Sequence, residues 1–252
     1  EFYREDINLL EDLGIRAFRF SIEWSRIEPQ EGQYDLSEIN HYVDKSKLLL
    51  EKNITPIVTF HHFTTPEWLM NDGLWASEKI STAFVNYVDV MMQHLPEEIE
   101  FFNTINEPGI FSMFGYLSKR NFPPGIQNEK LFIKASNNII SAHQQAIKVI
   151  KDHNPKAKIA MTHALHEWDD NDSSLQKEYL KYHMEDKFLY ASKDDDYIAL
   201  QTYSIRRTNP NLLFRALSWV QIKIPILRTY IYPRFRGLFS GRHEYNPDGI
   251  RT

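Results

Sequence analysis

Asn106 and Glu107 close the run Ile99-Glu100-Phe101-Phe102-Asn103-Thr104-Ile105, and Pro108 follows at once. An apolar, β-branched run of this length reads as a buried strand. A carboxyl at its end, beside a neutral amide, would sit in an enclosed and partly apolar place. Desolvation there favours the protonated form, from which a general acid donates. The same residues also fit a plain helix start, with Asn106 as cap and Pro108 in the first turn. Other chemistry-bearing residues close similar runs: Arg19 and Glu23 in Arg19-Phe20-Ser21-Ile22-Glu23, His61 and His62 after Thr59-Phe60, and Tyr203 in Gln201-Thr202-Tyr203. His61 and His62 would make a metal pair only if both faced one site. Neighbours on a strand point to opposite faces, so one of the two faces a pocket and no metal site is expected.

The elements that must position these residues alternate along the chain. Strands are expected over 16–22, 54–60, 99–105, 158–162 and 197–202, and helices over 2–13, 36–51, 77–94, 129–152 and 173–190. Gly14 stops the first helix, and Asn154-Pro155 breaks the chain before the fourth strand. A β-then-α rhythm at this spacing predicts parallel strands and an α/β fold of the (β/α)8 barrel type. Barrel active sites lie at the C-terminal ends of the strands, where the candidate residues stand. The alternative, an open doubly wound sheet, lacks support because no glycine-rich phosphate loop follows any strand. Five strand-like runs precede residue 205, which corresponds to about five to six βα units, and a closed barrel needs about eight. The chain therefore reads as an incomplete barrel, one partial domain over 1–252, with an N-terminus that looks cut.

Composition narrows the class. The chain has 252 residues, 42% hydrophobic and 25% charged, which suits one large globular domain. A net charge of -5 excludes the global basic excess that would suggest nucleic acid. With no cysteine there is no disulfide and no thiolate metal site, in keeping with a cytoplasmic protein. No signal peptide and no apolar run of membrane-spanning length is evident.

Three longer segments resemble glycoside hydrolase family 1, the retaining β-glucosidases and their relatives. They are Phe18-Arg19-Phe20-Ser21-Ile22-Glu23-Trp24-Ser25-Arg26-Ile27-Glu28-Pro29, Val58-Thr59-Phe60-His61-His62-Phe63 and Thr104-Ile105-Asn106-Glu107-Pro108. The resemblance begins at Tyr3-Arg4-Glu5-Asp6-Ile7, is densest over 1–165, and extends to order and spacing. It implies hydrolysis of β-glycosides through a covalent intermediate, a small sugar or β-glycoside as substrate, and neither metal nor organic cofactor. By the same resemblance Glu107 is the acid/base, Asn106 contacts the sugar 2-hydroxyl, and His62 contacts a glycone hydroxyl, with His61 structural. Arg19 keeps the nucleophilic carboxylate ionised and Tyr203 orients it. His143, in Ser141-Ala142-His143, matches a family position on an outer helix and is expected to anchor packing; Trp24 and Trp68 are expected in the core or cleft wall.

The chain also departs from the family pattern. The strand that carries the nucleophile, the first barrel strand and the last are expected to lie outside it, so the 252-residue chain alone is expected to be inactive. Phe63 stands where tryptophan is usual, and Gln201-Thr202 where Asn-Tyr is usual, which leaves the glycone open. Residues 197–243 hold no Asp or Glu but carry Arg206, Arg207, Arg215 and further basic residues to Arg242 among aromatic ones. This 206–242 segment is expected to be a basic loop packed on the barrel rim; membrane or anion contact is the less favoured reading. Two other classes stand beside the first: a shortened, non-catalytic sugar- or partner-binding relative, and another barrel hydrolase, such as an endoglycanase, sharing the Asn-Glu strand end. The Trp24-Ser25-Arg26 and His62 segments favour the first family over the latter.

Overall fold

The computed structural model describes residues 2–118, 122–168, 175–207 and 242–245. In chain order the elements are helix α1 (Tyr3–Asp12), strand β1 (Ala17–Ser21), the short helix α2 (Trp24–Ile27), α3 (Leu36–Glu51), β2 (Thr55–His61), α4 (Ile80–Met92), β3 (Phe101–Asn106), α5 (Pro108–Tyr116), α6 (Glu129–His153) and β4 (Lys158–Trp168). Then come α7 (Leu175–Lys181), a π-helical turn (Tyr182–Asp186), α8 (Lys187–Ala191), β5 (Ala199–Arg207) and β6 (Arg242–Tyr245). Strands β1 to β4 are parallel neighbours in chain order, with Ala17 opposite Thr55, Ile57 opposite Phe101 and Phe101 opposite Lys158. Parallel strands with intervening helices are the architecture of a (β/α)8 barrel in part.

Local chemistry explains most element ends. Asp35 caps α3 through its carboxylate, which accepts the backbone N–H of Ser37 at 2.8 Å and of Glu38 at 3.3 Å. Asn53, at φ 56°, turns the chain out of α3 into β2. Three elements differ from the sequence expectation. β4 continues to Trp168. The helix expected over 173–190 is interrupted, within its described part, by the π-helical turn. β6, which the sequence does not disclose, pairs antiparallel with β5, Ser204 opposite Tyr245.

Packing divides the chain into two compact units. One comprises 1–106, 134–162 and 194–199, the other 107–133, 163–193 and 200–252. In the first unit the helix-facing side chains of β2 and β3 meet those of α4: Phe60 stacks on Phe102 at 5.8 Å and meets Tyr87 edge-on at 6.1 Å. Trp24 stacks on Tyr87 at 5.2 Å and is fully buried. Its indole donates to Glu28 Oε2 at 2.8 Å, so Trp24 serves the core; the half-buried Trp68 donates to the Glu28 carbonyl. In the second unit the π-helical turn buries Glu185, whose carboxyl oxygens accept the Trp168 indole N–H at 2.9 Å and the His166 backbone N–H at 3.1 Å. The longer turn carries Glu185 inward to meet the far end of β4, which accounts for both departures there.

Candidate active site

In the first unit the site is built on the face of the sheet that carries Arg19. Ser21 lies opposite Thr59, and Thr59 opposite Asn103. Cross-strand partners share a face and every second residue returns to it, so Arg19, Thr59 and Asn103 face the same way. Strict alternation would put Asn106 on the other face. A register shift between Asn103 and Asn106, a β-bulge, restores it. Arg19 Nη2 donates to Asn106 Oδ1 at 2.6 Å, and Arg19 Nε donates to Thr59 Oγ1 at 2.8 Å. An arginine has only donors, so the amide atom facing it must be the oxygen. Asn106 Nδ2 then points away, buried and without an acceptor among the described residues. An unspent buried donor of this kind costs about 1–3 kcal/mol and suits a ligand oxygen.

His61 and His62 diverge, but not as alternation from Thr59 would have it: β2 ends at His61, and it is the next residue, His62, that meets Ser21. His61 is 1% exposed and lies against the Trp75 indole N–H and Thr65 Oγ1. Burial lowers its pKa to about 3, so it is a neutral structural side chain. His62 is exposed, and its Nδ1 lies 2.7 Å from Ser21 Oγ, leaving Nε2 for another partner. Partial desolvation of the ring and the nearby Arg19 charge lower its pKa, against Glu23, which raises it. The Glu23 carboxylate accepts the hydroxyls of Ser25 at 2.6 Å and Thr64 at 2.7 Å. Thr59 and Ser21 are site residues that the sequence reading quoted in motifs without assigning them a role.

In the second unit Glu107 follows at the start of α5. Its backbone is left-handed, φ 47° and ψ 58°, a conformation costing a non-glycine residue about 1–2 kcal/mol. Pro108 occupies the first helical position, as the plain reading required, but the cap position belongs to Glu107 and not to Asn106. Glu107 makes no side-chain cap bond, so its carboxyl is not consumed by the helix. It is 7% exposed, and the Tyr203 hydroxyl donates to its Oε1 at 3.0 Å. Tyr203, expected to orient a second carboxylate, thus bonds the Glu107 carboxylate here. Two residues on, Gly109 lets α5 approach the π-helical turn: a Cβ there would lie 1.9 Å from the Met184 carbonyl oxygen.

Among the described residues no cluster of His, Asp or Glu could hold a metal ion, and no helix is long and apolar enough to cross a membrane. Residues 208–241 of the basic aromatic segment lie outside the described residues.

Comparison with known proteins places this chain in a family. Residues 1–204 match Glycosyl hydrolase family 1, and the chain belongs to that family. It is 31% identical over 160 residues to a beta-glucosidase A of Acetivibrio thermocellus, covering 63% of this chain and 36% of that protein. It is 37% identical over 166 residues to a 6-phospho-beta-galactosidase of Staphylococcus epidermidis, covering 65% and 35%. Among solved structures it is similar to a beta-glycosidase from Pyrococcus horikoshii, with TM-score 0.75 and 30% identity, over 84% of this chain and 54% of that one. The chain thus spans about a third of the length of these curated relatives.

Proposed function

We propose that the protein carrying this chain hydrolyses β-glycosides by a retaining double displacement. Glu107 protonates the leaving oxygen and then activates water. Asn106 Nδ2 donates to the sugar 2-hydroxyl, a bond that strengthens as the oxocarbenium-like transition state forms. His62, largely neutral, hydrogen-bonds a glycone hydroxyl through Nε2. Arg19 holds the Asn106 amide in the required sense, and its fixed charge favours the ionised nucleophile. The double displacement needs a second carboxylate as nucleophile, roughly 5 Å from that of Glu107. Tyr203, whose hydroxyl donates to Glu107 Oε1, steadies the acid/base. The observation that carries this reading is the buried, unspent Nδ2 of Asn106, held in place by Arg19 and followed at once by Glu107.

The test is the anomeric configuration of the first-formed sugar, followed by proton NMR with an aryl β-glucoside and the full-length protein. The β-anomer is expected to appear first and to mutarotate later. Initial release of the α-anomer would refute the retaining mechanism. Glu107→Gln should abolish hydrolysis of alkyl glycosides while sparing much of the first step on a dinitrophenyl glycoside, whose leaving group needs no proton.

A further inference from the structure

The bulge that turns Asn106 toward Arg19 has an anchor on the opposite face of β3. Thr104 lies inside the bulge, between Asn103 and Asn106, and its Oγ1 is 2.8 Å from His143 Nδ1 on α6. His143 Nε2 is 3.0 Å from Asp195 Oδ1. Asp195 Oδ2 accepts the backbone N–H of Met161 on β4 at 2.8 Å. Thr104 and His143 are wholly buried, and the Asp195 side chain is 5% exposed. A carboxylate only accepts, so His143 carries its proton on Nε2, and Nδ1 accepts the Thr104 hydroxyl. The chain of bonds joins β3, α6, β4 and the residues before β5.

We propose that Thr104, His143 and Asp195 are positioning residues that hold the bulged end of β3 and so aim the Asn106 amide. The reason is geometric. The paired residues of β3 and β4 are Asn103 with Ala160 and Asn106 with Thr162; Thr104 and Ile105 have no β4 partner, and neither has Met161. A bulge removes ladder bonds and leaves the rotation of the strand under-determined. The relay fastens one unpaired residue on each strand, Thr104 and Met161, at that level. Valine would fill the volume of Thr104 equally well, so what the hydroxyl adds is direction: it sets which way the strand, and two residues later the Asn106 side chain, is turned. Thr104 touches neither Arg19 nor the ligand side of the sheet and acts only through Asn106. The inference rests on the reading of Asn106 as the partner of a sugar 2-hydroxyl.

The experiment compares Thr104→Val, Thr104→Ser and His143→Gln in the full-length protein, using an aryl β-glucoside and its 2-deoxy counterpart. Thr104→Val and His143→Gln should lower kcat on the glucoside roughly ten- to a hundred-fold with little change in KM, the size of effect a displacement near 1 Å produces. The same variants should change the 2-deoxy rate less than about three-fold, because that probe offers Asn106 nothing to bind. Thr104→Ser, which keeps the hydroxyl, should restore most of the loss. Equal losses on both probes, or none on either, would overturn the proposal. Hydrogen exchange decides it without turnover. Backbone amides of 104–106 should exchange faster in Thr104→Val while those of 134–153 stay protected; loosening of the helix together with the strand would mean that the three residues serve packing alone. A wild-type protein that hydrolyses neither probe would sink the glycosidase reading, and the exchange result would still decide the relay.

Discussion

Gly109→Ala sets two effects of known size against each other. In a helix alanine is favoured over glycine by up to about 1 kcal/mol, so on propensity alone the variant should be more stable. The structure opposes this. The new Cβ would lie 1.9 Å from the Met184 carbonyl oxygen, 2.6 Å from the Met184 carbonyl carbon and 2.7 Å from its Cα. All three are backbone atoms of the π-helical turn, which also holds Glu185 against His166 and Trp168, and none can swing aside as a side chain would. Ordinary contact requires α5 to retreat by about 1–1.5 Å, and forced overpacking of this sort costs about 1–3 kcal/mol and occasionally more. The clash should win, with a net loss of about 1–2 kcal/mol in urea or thermal denaturation. The consequence for chemistry is larger. Glu107 is two residues from Gly109 at the start of the same helix, and a 1 Å misplacement of a reacting group costs on the order of a hundred-fold in rate. The assay is kcat/KM across a series of aryl glycosides of decreasing leaving-group ability. A misplaced acid should leave the dinitrophenyl substrate nearly untouched and depress the poorest leaving groups most. An alanine variant as stable as the parent, or one slowed equally on every leaving group, would refute the reasoning.

Two further outcomes follow from the buried polar groups. His61 has its pKa lowered to about 3 and His183 to about 4, both by burial. The unfolded chain therefore takes up protons that the folded one refuses, and each group's contribution is fully present above about pH 6.5 and falls by up to about 1.4 kcal/mol per unit as pH drops below it. His61→Phe should flatten the acid side of the stability profile over that window, and an unchanged slope in urea titrations would count against it. Glu185→Ala removes the acceptor of the Trp168 indole and of both the ring and the backbone nitrogen of His166. Stranding these buried donors should cost about 3–5 kcal/mol, read as the shift in urea midpoint at constant m-value; a loss under about 1 kcal/mol would show that water replaces the carboxylate.

Much of this protein was legible in its residues because the deciding interactions are local. The apolar β-branched runs gave β1, β2 and β3 to within a residue or two, and the helix expected over 36–51 is α3, with the same bounds. The segments around Arg19, His62 and Asn106-Glu107 named the family before any fold was known, since their order and spacing are properties of the chain. What remained hidden depends on residues far apart in sequence. The bulge that puts Asn106 on the face of Arg19, 87 residues away, appears only when β3 is laid against β4. Neither the left-handed backbone of Glu107 nor the hydroxyl of Tyr203 on its carboxylate is written in a local pattern. The π-helical turn brings Glu185 to Trp168 and His166, and β6 pairs with β5; both contacts join residues far apart in sequence. A helical or strand period fixes which residues face a core; it cannot say which buried donor will find which acceptor, because that is decided by the packing of all the elements at once.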